Sequence, residues 1–299
     1  MKSIIINQIK NLKIQGATNV AVKSLDVIQK YADENKNKKP LVFSIGLNKL
    51  KDELINLRST EPMQYNCLNY LIKNINNTKD TNLMVKEIKK RIIDLKNHIQ
   101  LSKNKIELYG TNLIKNNQVI YTHCHSSTVT NLLLKVKNNN INFRVNNTET
   151  RPLFQGRTTA KELVLNKIKV NHYVDSEIPI AISSSDIILI GCDSIIPGYF
   201  YNKVGTKIVL EFAKKYDKPI YIVTEALKFD PRSLEGNETA IEIRDQKEIW
   251  DYKNKYLNII DNAFDKVEFD NITIISELGV YDYSGFISQL QKSYPWIFD

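Results

Sequence analysis

Two histidines flank a cysteine in Thr122-His-Cys-His-Ser126, and a second reactive pair closes the run Asp186-Ile-Ile-Leu-Ile-Gly-Cys-Asp193. A thiol beside an imidazole and near a helix start is expected to have a lowered pKa, which suits Cys124 to proton transfer near neutrality. A carboxyl group held in a partly dry pocket is expected to keep its proton, which suits Asp193 to act as a general acid. Plainer readings stand beside these: Cys124 as a small buried side chain, Asp193 as the cap of the next turn. A Cys–His nucleophile for acyl transfer is a further alternative. His123 and His125, two apart in a strand-to-loop turn, point in different directions, and no partner stands at metal-site spacing, so no metal is expected.

Other stretches suit anions. Ile14-Gln-Gly-Ala-Thr-Asn19 is a glycine-containing break before a helix, where backbone N–H groups can approach a phosphate, although the same residues also make an ordinary helix cap. After a loop over Pro197–Tyr201, Asn202-Lys-Val-Gly-Thr206 places an amide and an ammonium at a helix start. A Walker sequence and a GxGxxG are both missing, which leaves nucleotide hydrolysis and dinucleotide binding without support, and no cofactor is expected.

The elements that must position these residues change character near residue 115. Before it the periodicity is helical: Ile4, Ile5, Ile9 and Leu12 share a face, Val20 to Tyr31 repeats the pattern, and further helices are predicted over 47–57, 63–75 and 83–114. After it, strands predicted at 119–122, 141–145, 170–174, 187–190, 220–223 and 272–275 alternate with helices at 128–137, 159–166, 176–182, 203–216 and 283–291. The expected architecture is α/β: a helical N-terminal domain, 1–115, followed by a Rossmann-like, doubly wound parallel sheet, 116–299. Strand carboxyl ends would then deliver Cys124, Asn147-Thr-Glu-Thr-Arg-Pro152, Asp175, Cys192-Asp193, Thr224-Glu225 with Lys228, and Glu277 to one side of the sheet.

Composition narrows the functional class. The 299 residues are 42% hydrophobic, enough for a substantial core. Three dispersed cysteines, Cys67, Cys124 and Cys192, argue against a disulfide framework and fit a reducing cytosol. Polar residues interrupt the first ten positions every few places, so neither a signal-peptide core nor a membrane span is read there, and a cytoplasmic location is expected. The net charge of +9 is carried mainly by lysines in Asn/Lys-rich surface tracts, without a basic helix interleaved with aromatics. Nucleic acid is therefore not expected as a partner, whereas an anionic small substrate accounts for the field.

Thr122-His-Cys-His-Ser126, Thr148-Glu-Thr-Arg-Pro152 with Gln155-Gly156 and Ala160-Lys-Glu-Leu163, Gly191-Cys-Asp-Ser194, Asn202-Lys-Val-Gly-Thr206, Glu225-Ala-Leu-Lys-Phe229, Glu242-Ile-Arg-Asp245, Asn262-Ala-Phe-Asp265 and Ser276-Glu-Leu-Gly279 follow one another in this order. The chain thereby resembles one superfamily, that of the alpha, beta and delta subunits of translation initiation factor 2B, methylthioribose-1-phosphate isomerase and archaeal ribose-1,5-bisphosphate isomerase. The likeness covers nearly all of 116–299 and is looser before it. Within the superfamily it looks most like the ribose-1,5-bisphosphate isomerases, whose catalytic Cys and Asp settings match Cys124 and Asp193.

The resemblance implies conversion of ribose 1,5-bisphosphate to ribulose 1,5-bisphosphate in nucleoside salvage, with Cys124 as base at carbon and Asp193 as acid at oxygen. It also implies that Gln15, Gly16, Ala17, Thr18, Ser126, Ser127 and Thr128 hold phosphate, Asn202 and Lys203 the sugar oxygens, and Lys228 a phosphate. A homodimer or homohexamer, and an activator such as AMP, come with the same resemblance. The chain departs from the isomerases in having Gln15-Gly-Ala17 for Arg-Gly-Ala and Thr60-Glu-Pro62 for Thr-Arg-Pro, with Arg58 one helical turn before Glu61. A non-catalytic regulatory subunit and a methylthioribose-1-phosphate isomerase are the alternatives.

Overall fold

The computed structural model of the chain describes residues 2–11, 13–236 and 244–298; Leu12, expected on a helix face, and Glu242-Ile243 of the quoted motifs lie outside them. The chain divides into two compact units: a helical one of 1–102 with 227–239 and 296–299, and a sheet-bearing one of 103–226 with 240–295.

The helical unit is built from α1 (Lys2–Lys10), α2 (Ala17–Asn35), α3 (Pro40–Leu57), α4 (Pro62–Ile72) and the first two thirds of α5 (Thr81–Thr111). Pro40 and Pro62 open α3 and α4, where a missing N–H costs nothing and the fixed φ is already helical. Val20, Leu25, Val27 and Ile28 of α2 are fully buried, as are Leu47, Leu54, Met63 and Leu68. Buried polar links cross this core: Gln64 donates to the Ser24 hydroxyl at 2.7 Å, Ser24 donates to the Val20 carbonyl, and the Tyr31 hydroxyl donates to the Phe43 carbonyl.

In the second unit the chain lays down β1 (Val119–Thr122), α6 (Ser127–Asn138), β2 (Arg144–Thr148), α7 (Gln155–Leu165), β3 (Lys169–Tyr173), α8 (Ile178–Ser183) and β4 (Ile187–Ile190). It continues through β5 (Ser194–Ile196), β6 (Tyr199–Lys203), α9 (Thr206–Lys215), β7 (Ile220–Val223), β8 (Phe264–Glu268), β9 (Thr273–Ser276), β10 (Gly279–Tyr281) and α10 (Tyr283–Ser293). The main sheet runs in the order β10-β9-β7-β4-β1-β2-β3, parallel except for β10. The expected parallel, doubly wound sheet is therefore present. The chain winds outward from β1 to β3 and then crosses back to β4 on the other side of β1. That reversal is the switch point at which α/β sheets open a crevice beyond their strand ends.

Asp186 fixes the register at this point. Its N–H donates to the Val119 carbonyl and its carboxylate accepts the Val119 N–H, both at 2.7 Å. Val129, Leu132, Leu133 and Val136 of α6 pack with Ile120, Val145, Leu189, Val223 and Ile275 of the sheet in one core.

Two local expectations are corrected. The predicted strand 141–145 lies at Arg144–Thr148, and the predicted loop at Pro197–Tyr201 is a hairpin: β5 and β6 join around Pro197-Gly198 and pair antiparallel, with β8 on the far side of β6. Asn202 and Lys203 consequently end a strand, and α9 starts only at Thr206.

Candidate active site

Cys124 stands between β1 and α6 in a left-handed conformation, φ +64°. Its peptide groups are held on both sides: its N–H donates to the Thr150 hydroxyl at 3.1 Å, and the Thr159 hydroxyl donates to its carbonyl at 2.8 Å. The neighbouring histidines are occupied by other groups. His123 Nε2 faces the Val204 carbonyl at 2.9 Å, which can only accept, so that nitrogen carries the hydrogen and Nδ1 receives the Thr148 hydroxyl at 3.4 Å. Thr159 spends its hydrogen on Cys124, so His125 Nδ1 must donate to Thr159, at 3.0 Å. The two rings are thus opposite tautomers. Burial pulls both below the usual histidine range, so both are neutral at pH 7.

These contacts overturn the expectation of an acidic thiol. Burial pushes the Cys124 thiol up to about 12, and the charges of Asp193 and Asp175 push the same way. The His125 backbone N–H and the Lys203 ammonium oppose them without prevailing. No imidazolium stands beside the sulfur, and Ser126 caps the first turn of α6 by accepting the Val129 N–H, so neither cation nor helix end stabilises a thiolate enough. Cys124 keeps its proton at neutrality.

Asp193 follows β4 after Gly191 and Cys192. A side chain on Gly191 would lie 2.7 Å from Ser126, so glycine is what lets the end of β4 pass the start of α6 closely. The Asp193 N–H donates to the Tyr201 carbonyl, joining the strand end to the hairpin. Its carboxyl group is half-buried and near enough for its charge to push the Cys124 thiol pKa up. The next residues form β5, so Asp193 sits at a strand-to-strand junction rather than capping a helix.

Asn202 and Lys203, both buried, reach the same region from the end of β6. Asn202 donates to the Thr206 hydroxyl at 3.0 Å, and Thr206 donates to the Lys203 carbonyl at 2.6 Å. The turn after Lys203 is pinned by His123 at Val204 and by Asp265, whose carboxylate accepts the N–H groups of Gly205 and Lys207, each at 2.9 Å. Gly205 has φ +101° and would bring a side chain to 2.9 Å from His123, so no other residue fits there. Lys203 is the cation felt by Cys124, His123 and Asp261 alike.

Of the three hydroxyls at the start of α6, Ser126 caps the helix, Ser127 is exposed, and the buried Thr128 donates to Glu225 at 3.1 Å. Gln15, Gly16, Ala17, Thr18 and Lys228 belong to the helical unit. Gly16, φ +83°, precedes α2 with open space where a side chain would be; Ala17 and Thr18 are buried in its first turn, and Gln15 is exposed. Lys228 is buried. Arg58 closes α3 and pairs with Glu61 at 2.7 Å, both side chains nearly enclosed. The hydroxyls that hold the Cys124 peptide groups are not among the expected site residues: Thr150 lies inside Thr148-Glu-Thr-Arg-Pro152, and Thr159 carries no local signal.

The model of the initiation factor 2 subunit family matches residues 13–283. The chain belongs to that family. A ribose 1,5-bisphosphate isomerase of Archaeoglobus fulgidus is 29% identical over 276 residues, covering 91% of this chain and 87% of that protein. Among solved structures, the translation initiation factor eIF-2B of Pyrococcus horikoshii OT3 superposes with a TM-score of 0.82 at 22% identity, over 94% of this chain and 97% of that one. The 5-methylthioribose 1-phosphate isomerase of the same organism gives 0.79 at 20%, over 97% and 87%. The family fold is therefore shared between enzymes and translation factors, and function has to be read from the site.

Proposed function

We propose that the chain is an aldose–ketose isomerase acting on ribose 1,5-bisphosphate to give ribulose 1,5-bisphosphate, with Cys124 and Asp193 as its acid–base pair. One observation carries the reading. Cys124 and Asp193 come from the ends of adjacent parallel strands at the switch point, near enough for the charges of Asp193 and Lys203 both to act on the thiol. The relatedness to a ribose 1,5-bisphosphate isomerase over most of both chains supports the same substrate.

With phosphate on C1 the sugar ring cannot open by ordinary hemiacetal exchange, so acid and base must act together. Because Cys124 keeps its proton, we assign it the part of the acid and Asp193 that of the base, the reverse of what the resemblance implies. The Asp193 carboxylate takes the proton from C2, the C2–H electron pair forms the C1–C2 double bond, and the C1–ring oxygen bond breaks. The ring oxygen takes the thiol proton. The Asp193 carboxyl then returns its proton to C1 while the thiolate takes the proton of the C2 hydroxyl, leaving a C2 ketone and both groups as they began. Lys203 steadies the thiolate between the two steps, and Asn202 and Lys203 hold the sugar oxygens. This chemistry draws on the sheet unit alone.

The test is incubation with ribose 1,5-bisphosphate, following the ketose by NMR. Cys124→Ser and Asp193→Asn should each lower turnover by roughly 10²–10⁴-fold, the usual worth of a placed acid or base, with circular dichroism unchanged. Full activity in either variant refutes the pair. A rate that climbs with pH between 8 and 10, as thiolate accumulates, would return the role of base to Cys124.

A further inference from the structure

A left-handed side chain keeps its direction only if its peptide groups are fixed, and those of Cys124 are fixed from two separate elements. We propose that Thr150 and Thr159, with Asp175 behind Thr150, are positioning residues that lock the backbone of Cys124 and so aim its thiol. Their effect on turnover rests on the isomerase reading; their effect on the thiol does not.

The hydrogen assignments leave these hydroxyls no alternative roles. Thr150 donates to the Thr148 carbonyl at 3.3 Å, which turns a lone pair toward the Cys124 N–H. Thr150 is itself left-handed, φ +60°, and its own N–H and that of Arg151 are both taken by the Asp175 carboxylate, at 2.8 and 2.7 Å. Thr159, 1% exposed in the second turn of α7, donates to the Cys124 carbonyl and accepts from His125. Strained backbone persists where its surroundings over-determine it, and this arrangement fixes the peptide groups on both sides of one residue. A threonine with only a structural role would change stability when replaced but leave the reactivity of Cys124 alone.

The full chain carrying Thr150→Val, Thr159→Val or the corresponding Ser substitution tests this. Turnover of ribose 1,5-bisphosphate is measured beside the iodoacetamide alkylation rate of Cys124, read by peptide mass so that Cys67 and Cys192 are counted apart. Each Val variant should lose about 10- to 100-fold in kcat with KM within about threefold, since a small misplacement of a reacting group costs up to that much. Its Cys124 alkylation rate should shift by about fivefold or more, while each Ser variant, keeping the hydroxyl, stays within about threefold of native in both measurements. Folded Val variants that alkylate Cys124 at the native rate overturn the proposal whatever their turnover. Native protein that converts no sugar bisphosphate, beside Val variants whose alkylation is shifted, overturns the isomerase reading and supports the clamp. If the Val variants do not fold, Thr150→Ala and Thr159→Ala decide: a Cys124 alkylation rate shifted by about fivefold or more is expected, and the native rate overturns the proposal.

Discussion

Cys124 occupies a backbone region that ordinarily goes to glycine or asparagine, and this has a cost that can be measured. A left-handed conformation costs an L-residue about 1–2 kcal/mol, while glycine's extra freedom in the unfolded chain costs it about 0.4–1 kcal/mol. Cys124→Gly should therefore melt at or slightly above Cys124→Ala, the reverse of the usual order. An alanine variant more stable by about 1 kcal/mol, the ordinary advantage of Ala over Gly, would show that the position is unstrained. At this scale the sequence places both groups but not the thiol's proton. His-Cys-His and Gly-Cys-Asp lie at strand ends, as the pattern predicts, yet the thiol keeps its proton chiefly through burial. The neutral histidines beside it are held by Val204 and Thr159, 81 and 34 residues away from His123 and His125.

Among the elements, α9 shows how a helix start can be held from outside. Its cap, Gly205, has no side chain to offer, and Asp265 in β8 accepts the first-turn N–H groups in its place. Asp265→Ala should cost about 0.5–2 kcal/mol, as loss of an ordinary capping side chain does, and Asp265→Asn, which keeps an acceptor oxygen, should cost less. Urea midpoints check this; equal midpoints for native and alanine proteins would mean that the carboxylate holds nothing. Pattern reading found the apolar parallel strands because β-branched runs such as Ile187–Ile190 are buried on both faces. It misplaced β2 because that strand buries amides: Asn146 donates to the Ala181 carbonyl and the Ser185 hydroxyl, and Asn147 to the Gly156 carbonyl. It missed the β5–β6 hairpin by taking Pro197-Gly198 as a loop. The β-branched Ile195-Ile196 before that turn and the aromatic Tyr199-Phe200-Tyr201 after it were the available signal.

For the molecule as a whole, long-range contacts rather than local pattern decide which segments travel together. Residues 227–236 group with the helical unit through Asn66, which donates to the carbonyls of Leu227 and Phe229 at 2.8 Å each, and the C-terminal turn joins it through Trp296 against Tyr70. Contacts spanning more than 160 residues leave no periodicity to read. The sheet unit carries a buried charge problem of its own that should appear in the stability of the protein. Glu277, at the end of β9, is pushed up to about 6 by burial, and the Glu225 charge adds to this; the Ala226 N–H and the Tyr294 hydroxyl, which donate to its carboxylate, only partly offset it. A carboxyl whose folded pKa exceeds its unfolded value binds protons more tightly when folded, so its contribution is complete below pH 4.5 and is lost as pH rises through 6. A shift of this size corresponds to about 2 kcal/mol. The group is isolated by comparison with Glu277→Gln, which cannot ionise. Relative to native protein, the Gln variant should gain about 2 kcal/mol of stability between pH 4.5 and 7, read from urea unfolding at each pH. A difference between the two proteins that stays constant over that interval would mean that Glu277 titrates as an ordinary exposed glutamate.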